Sequence, residues 1–282
     1  MSINIYSAMQ NECEGDMATT KNIQSIERAF SILELFQNSG TPDLSVKDIS
    51  ESLALNKSTA FGLINTLTNL GYLQQNPENQ KYALGLKLLS FSNAVKVQNI
   101  IIRAVHPYLE ELKQKYGETA HCAVKYNNGV IYVDKVEATG SIYISTQIGT
   151  VNDLHCTGVG KCILAYLPEE EQERIYASNL RTMTYHTITN SEQLREEMAK
   201  VRQNGYATEC EEIAIGVACV AVPIFSGPDT VACAISISGM TARIQMAMER
   251  GVVNDLKRIS AQISRNAFGY TPPVPPSAMS DF

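Results

Sequence analysis

The sequence predicts an α+β chain: an N-terminal winged helix-turn-helix, a linker helix, and an antiparallel-sheet domain. Two observations carry that reading. Within Leu44–Leu73, apolar residues recur at helical spacing in two short runs joined by a tight turn. From Glu118 onward, runs of strand character alternate with helical ones and are punctuated by turn residues such as Asn-Gly and Ser-Gly-Pro-Asp. A chain of 282 residues has room for about two domains of ordinary size.

In chain order, residues 1–21 are polar and acidic, with Glu12, Glu14 and Asp16, and are expected to form a disordered tail. Residues 22–86 are expected to form the first domain. Ser25 opens a helix whose stripe Ile26, Ala29, Phe30, Leu33 and Phe36 supports the helix-turn-helix, and a loop with Gly40 and Pro42 ends it. Ser45 and Asp48 are spaced as a capping box, and Val46, Ile49 and Leu53 follow as one buried stripe. Asn56 is placed to cap a second helix, in which Ala60, Leu63, Ile64, Leu67 and Leu70 share a face. A turn at Asn76–Asn79 then joins two short strands into a wing.

A linker helix is expected over 87–104, with a break or a new helix at Pro107. Its apolar residues suit packing on the second domain, pairing across a dimer, or both. Residues 105–270 are read as the sheet domain. Strands His121–Tyr126 and Val130–Val136 flank an Asn-Gly turn signal, and Ile142–Thr146 is a further strand. Residues 149–154 are read as an irregular connection, Gly160–Tyr166 as a short helix, and Ser191–Asn204 as a longer one. Three strands near 206–211, 218–225 and 230–238 precede a last helix over 246–267, and 271–282 is a Pro-rich tail. The helices are expected on one face of the sheet.

The second helix of the pair carries the first functional signal. At about 100° per residue, Ser58, Gly62, Asn65 and Asn69 fall opposite its apolar stripe, with Phe61 at the margin. Small hydroxyls and amides suit base edges and phosphates in a major groove. The stretch Lys57–Leu70 is therefore read as a recognition helix. The candidate DNA-contacting residues are Arg28, Lys57, Ser58, Thr59, Phe61, Asn65, Asn69 and Lys81.

Charge qualifies this. The whole chain carries −6, and residues 21–90 hold six basic and six acidic side chains. Because affinity for DNA grows with the phosphates neutralised, a neutral reading head binds weakly as a monomer. The expectation is a homodimer or homotetramer presenting several copies to double-stranded operator DNA. The seven cysteines are odd in number, scattered, and without a CxxC pair, which fits a reducing cytoplasm. No apolar run is long enough to span a bilayer, and no membrane role is expected.

The segments together resemble the IclR family of bacterial transcription regulators. The resemblance rests on Ser25-Ile-Glu-Arg-Ala-Phe-Ser-Ile-Leu, Asn56-Lys-Ser-Thr, Gly71-Tyr-Leu, Tyr82-Ala-Leu-Gly, His155-Cys-Thr-Gly-Val-Gly-Lys, Gly205-Tyr-Ala-Thr-Glu-Cys-Glu-Glu, Gly216-Val-Ala-Cys-Val-Ala-Val-Pro and Ala234-Ile-Ser-Ile-Ser-Gly, in that order. It implies a GAF-like effector domain at the C-terminus and a dimer or pair of dimers. The chain looks most like repressors of sugar-acid catabolism. It departs from the family at Gly62, where an Arg is usual, and at Glu209, where Asp is often found.

The same resemblance brings separated segments into one effector site. Gly158 and Val159 offer backbone N–H groups at a helix mouth, suited to a carboxylate. Ser236 and Ser238, two apart on a strand, turn their hydroxyls to the same side. Glu209 and Cys219 match family positions lining that pocket, and Ser141 and Ile144 form its wall. A small hydroxy- or keto-acid fits such a set. Glu211-Glu212 reads as a solvated pair and is left out.

Two alternatives stay open: a sensor whose winged helix binds a protein, and a cysteine-dependent enzyme using Cys219 with His155. A zinc site from His155, Cys156, Glu209, Cys210 and Cys219 lacks recurrent ligand spacing. No cofactor or metal is expected.

Overall fold

The structure is a computed structural model and describes residues 22–138 and 146–273. It divides into two compact units, one ending at Val95 and the other starting at Lys96.

The first unit is built on three helices, α1 (Gln24–Asn38), α2 (Val46–Ser52) and α3 (Lys57–Asn69), followed by the wing strands β1 (Leu73–Gln75) and β2 (Tyr82–Leu84). Its core joins Ile32, Leu44, Ile49, Ala60, Ile64, Leu67, Leu73 and Tyr82. The capping box at Ser45 and Asp48 is present in both directions, with Asp48 Oδ2 accepting from the Ser45 amide at 2.9 Å. The backbone and hydroxyl of Ser45 hold the Asp48 carboxyl below its usual pKa. The wing is antiparallel, Leu73 facing Leu84, and Leu44 bridges to Tyr82 to tie it to the helices.

Two expectations fail here. Asn56 occupies the N-cap of α3, but its side chain makes no capping bond. In α1 the buried line is Ala29, Ile32, Leu33 and Phe36, while Ile26 and Phe30 are more than half exposed. That helix is apolar on more than one side, so periodicity alone does not say which side faces inward.

Helices α4 (Leu88–Gln98) and α5 (Ile100–Tyr116) follow. The break falls at Asn99, whose side chain accepts from the amides of Ile101 and Ile102, and α5 runs through Pro107 without interruption. A local cap sets the boundary; the proline is accommodated inside the helix.

The second unit holds one six-stranded antiparallel sheet. Its strands are β3 (Thr119–Tyr126), β4 (Gly129–Val136), β5 (Val151–Asp153), β6 (Ala207–Cys210), β7 (Val217–Gly227) and β8 (Thr230–Met240). The spatial order is β5-β4-β3-β8-β7-β6. Three helices, α6 (Gly158–Leu164), α7 (Glu169–Tyr176) and α8 (Ser191–Asn204), lie between β5 and β6 in sequence; α9 (Thr241–Glu249) and α10 (Val252–Phe268) follow β8.

Strand alternation divides the core in two. Val220, Val222, Ile235 and Ile237 pack with Val105, Leu109, Leu256 and Ile259 from α5 and α10. Ala221, Ala234 and Ala123 pack on the other face with Val159, Cys162, Leu194 and Met198 from α6 and α8. Helices therefore cover both faces of the sheet, not one. The long apolar runs of β7 and β8 are what two buried faces require.

Further differences are local. The loop between β3 and β4 is Asn127–Asn128, since Gly129 pairs with Tyr126, and Asn127 takes the positive φ of 50°. Gly129 is needed for another reason: a Cβ there would stand 2.6 Å from the carbonyl of Asn152 on the adjoining β5. The stretch expected to be irregular contains β5, and α6 begins two residues early, at Gly158. The last helix is two, separated by Gly251 at φ 83°. The strand expected at Ile142–Thr146 lies almost wholly outside the described residues.

Candidate functional site

On α3, Ser58, Gly62, Asn65 and Asn69 are exposed, as are Lys57 and Phe61, while Thr59 is half-buried. The inward side is Ala60, Ile64 and Leu67. The face expected to meet a duplex is thus the solvent face of the helix. Lys81, on the wing, is engaged: its ammonium lies 3.3 Å from Asp43, which also accepts from Asn79. Arg28 stands on α1, exposed, in a shallow groove with Ile23, Ile26 and Phe30.

In the second unit the register of the sheet assembles a polar row. Glu209 pairs with Cys219, Cys219 with Ser238, and Ser238 with Thr119, so these four are neighbours across four strands on one face. A parallel row two residues along runs Ala207, Ala221, Ser236 and His121. All lie on the face covered by α6. Cys219, Glu209, Ser236 and Ser238 are each buried.

Helix α6 meets this row through Gly158. A Cβ at that position would come within 2.6 Å of Cys219 Sγ and 3.2 Å of the Ala221 Cβ, so only glycine permits the approach. The Gly158 amide lowers the Cys219 thiol pKa against the opposing effect of burial, and Thr157 caps the helix by accepting from the Gly160 amide at 3.0 Å. Val159 is buried in the adjoining core. Ser141 and Ile144 lie outside the described residues.

Glu209 is held by one oxygen. Its Oε1 accepts from the amides of Glu212 at 2.6 Å and Ile213 at 3.2 Å. Burial raises its pKa to about 7, against the pull of those two amides. Beside it, Lys161 of α6 is buried and bonds to Glu212, to Glu197 at 3.3 Å and to the Thr208 carbonyl at 3.3 Å. Burial works against its charge, but the two carboxylates outweigh it and hold the ammonium above its ordinary pKa. Glu212 is thus a buried partner, not a solvated residue.

Cysteine chemistry has little support. Burial raises the Cys219 thiol well above its ordinary value and the Cys156 thiol to about 12, the reverse of what a nucleophile needs. Among the described residues, Asp153, His155 and Cys156 bring one potential metal ligand each within 4.8 Å of one another. Of these, His155 already donates its Nε2–H to the Arg181 carbonyl at 3.0 Å.

Sequence reasoning missed His121, Tyr132, Lys161 and Glu212. Period-two alternation puts His121 on the same face of its strand as Ala123. What brings it beside Ser236 is a pairing between strands more than a hundred residues apart, and that has no local signal.

A winged helix-turn-helix with an amide-rich solvent face, followed by a separate sheet unit with a buried polar row, defines a DNA-binding regulator carrying its own effector domain. The comparisons place it more narrowly. A family profile described as the IclR helix-turn-helix domain matches residues 25–77, and one described as bacterial transcriptional regulator IclR C-terminal matches residues 92–265. The chain is 35% identical over 249 residues to the HTH-type transcriptional regulator XynR of Escherichia coli, covering 88% of this chain and 98% of that one. It is 28% identical over 277 residues to the DNA-binding transcriptional repressor YiaJ of the same organism, covering 96% and 97%. The crystal structure of the Thermotoga maritima IclR superposes with a TM-score of 0.70 at 32% identity, covering 88% of this chain and all of that one. The chain belongs to the IclR family of bacterial transcriptional regulators. It is a regulator and not an enzyme.

Proposed function

We propose that the protein is a ligand-controlled repressor of a catabolic operon. The second unit binds a small carboxylate, a sugar acid or keto acid, and the first reads double-stranded operator DNA. The observation that carries the reading is the buried row Glu209, Cys219 and Ser238 beneath Gly158, polar groups gathered on the sheet face that α6 covers. Buried polar groups of this kind are costly unless something hydrogen-bonds them. Repression is supported by relatives named as repressors.

The contacts proposed for DNA are Lys57, Ser58, Thr59, Phe61, Asn65 and Asn69 on α3, with Lys81 and Arg28 as outlying phosphate contacts. The working unit is a homodimer or homotetramer in the cytoplasm. Supporting it are the exposed apolar side chains of Ile23, Ile26 and Phe30 at the start of α1 and of Leu86, Leu89, Phe91 and Val95 around α4, which a second copy would cover. Among the described residues, no helix is long and apolar enough to cross a membrane.

The test is a gel shift on the DNA upstream of the protein's own gene, across salt concentrations. Specific binding that weakens steeply with salt is expected; absence of a sequence-preferring shift at about 50 mM salt rejects the operator role. Ser238→Ala and Glu209→Ala should lose the response to ligand and keep operator affinity.

A further inference from the structure

We infer that His121 determines specificity in the effector site by hydrogen-bonding an alcohol group of the ligand. This rests on the proposed reading of that site as an acid sensor and narrows the class of acid.

His121 lies in β3 directly opposite Ser236 of β8, on the face shared with Ser238, Cys219 and Glu209. It is 2% exposed, and neither Nδ1 nor Nε2 has a hydrogen-bond partner. The Tyr132 ring stands edge-on to it at 5.4 Å between centroids. More than nine in ten buried polar groups in folded proteins are satisfied, so two empty nitrogens on one ring are an exception that requires a reason. A leucine or phenylalanine would fill the same space without that cost. A partner arriving from solution supplies the reason.

The chemistry of the partner follows from what is left unpaired. Burial, with Lys135 nearby, pushes the imidazole pKa down to about 4, so at neutral pH one nitrogen donates and the other accepts. Glu209 has its Oε1 committed to two backbone amides and leaves Oε2 to accept when ionised or to donate when protonated, its pKa standing at about 7. A carboxylate brings acceptors only; whichever state Glu209 is in, it leaves the bare nitrogen of His121 unpaired. A hydroxyl both donates and accepts. Lys161 is engaged by Glu197 and Glu212, so the acid is held by neutral donors, Ser236 and Ser238 among them. The ligand is therefore a hydroxylated acid, and a keto acid or plain aliphatic acid of the same length binds poorly.

The experiment measures melting temperature and calorimetric affinity on the full chain. The probes are D-gluconate and L-threonate against the hydroxyl-free hexanoate and pyruvate, with His121→Leu and His121→Gln as variants. A hydroxylated probe is expected to raise the parent's Tm while the hydroxyl-free acids do not. The ligand-free His121→Leu protein should melt at or above the parent, since it loses an unsatisfied group, yet bind the hydroxylated probe more than about tenfold more weakly. His121→Gln, which keeps a donor and an acceptor, should recover most of the affinity. Hexanoate or pyruvate binding as tightly as the hydroxylated acids overturns the inference and leaves the acid-sensing site standing. So does unchanged affinity in His121→Leu. A ligand-free His121→Leu that melts well below the parent, with His121→Gln also lowered, overturns it in favour of a structural imidazole. If none of the four acids binds, the inference falls together with the acid-sensing reading, while the gel shift still judges operator binding on its own.

Discussion

Gly62 stands on the exposed side of α3 with nothing within 4 Å of the place its Cβ would occupy. Gly62→Ala should therefore raise stability by about 1 kcal/mol, read by urea unfolding. Gly62→Arg adds a cation to the face proposed for DNA and should tighten binding to any duplex, steepening the salt dependence by about one phosphate contact. Glu209 makes a different prediction. Its folded-state pKa of about 7 lies above the ordinary 4.5, so the native state holds that proton more tightly than the unfolded chain. The associated stability is complete below the ordinary value and is lost as pH rises through 7. The Tm should decline between about pH 5 and 8, and Glu209→Gln, whose oxygen still accepts from the two amides, should flatten that decline. The face of α3 was legible because helical periodicity is local. The burial of Glu212 was not, since the sequence shows two adjacent acids and nothing to say that Lys161 lies between one of them and Glu197.

Among the elements, α6 shows how a short helix is fixed. It has seven residues, too few to persist by propensity, and is held by the Thr157 cap, by close contact at Gly158, and by Lys161 reaching the β6 edge and the loop after it. Lys161→Met should cost on the order of 3–5 kcal/mol because it strands the buried Glu212 carboxylate. Adding Glu212→Gln should recover part of that, a coupling that a double-mutant cycle in denaturant would measure. The strands β7 and β8 were legible from their apolar runs and the turn at 226–229. The break at Asn99 was not, because Pro107 is the louder signal and Asn99 resembles any other asparagine until its side chain is seen accepting from two amides. The division of 246–267 into two helices was hidden likewise: Gly251 within an otherwise continuous pattern is tolerated as often as it breaks a helix.

At the scale of the whole molecule, the chain is two compact units with separate cores. A ligand in one alters DNA affinity in the other only by favouring one arrangement of the chain, and such coupling is typically about 1–3 kcal/mol, or about 5–150-fold in operator affinity. Gel shifts with and without a bound acid should fall in that range, and Ser238→Ala should remove the difference. The covering of both sheet faces was not legible, because helices show where their apolar stripe lies but not which side of a sheet receives it. The sheet order has one more result. Strand β8 sits between β3 and β7, and it is the last strand to be synthesised. Until the ribosome has released Thr230–Met240, the second unit consists of two fragments with open edges, whereas the winged helix is already complete. A chain cut short by a premature stop before Thr230 would keep a folded reader joined to an unfinished, self-adhering partner. Such truncations should behave in the cell as insoluble or unregulated DNA binders, not as simple losses of the protein.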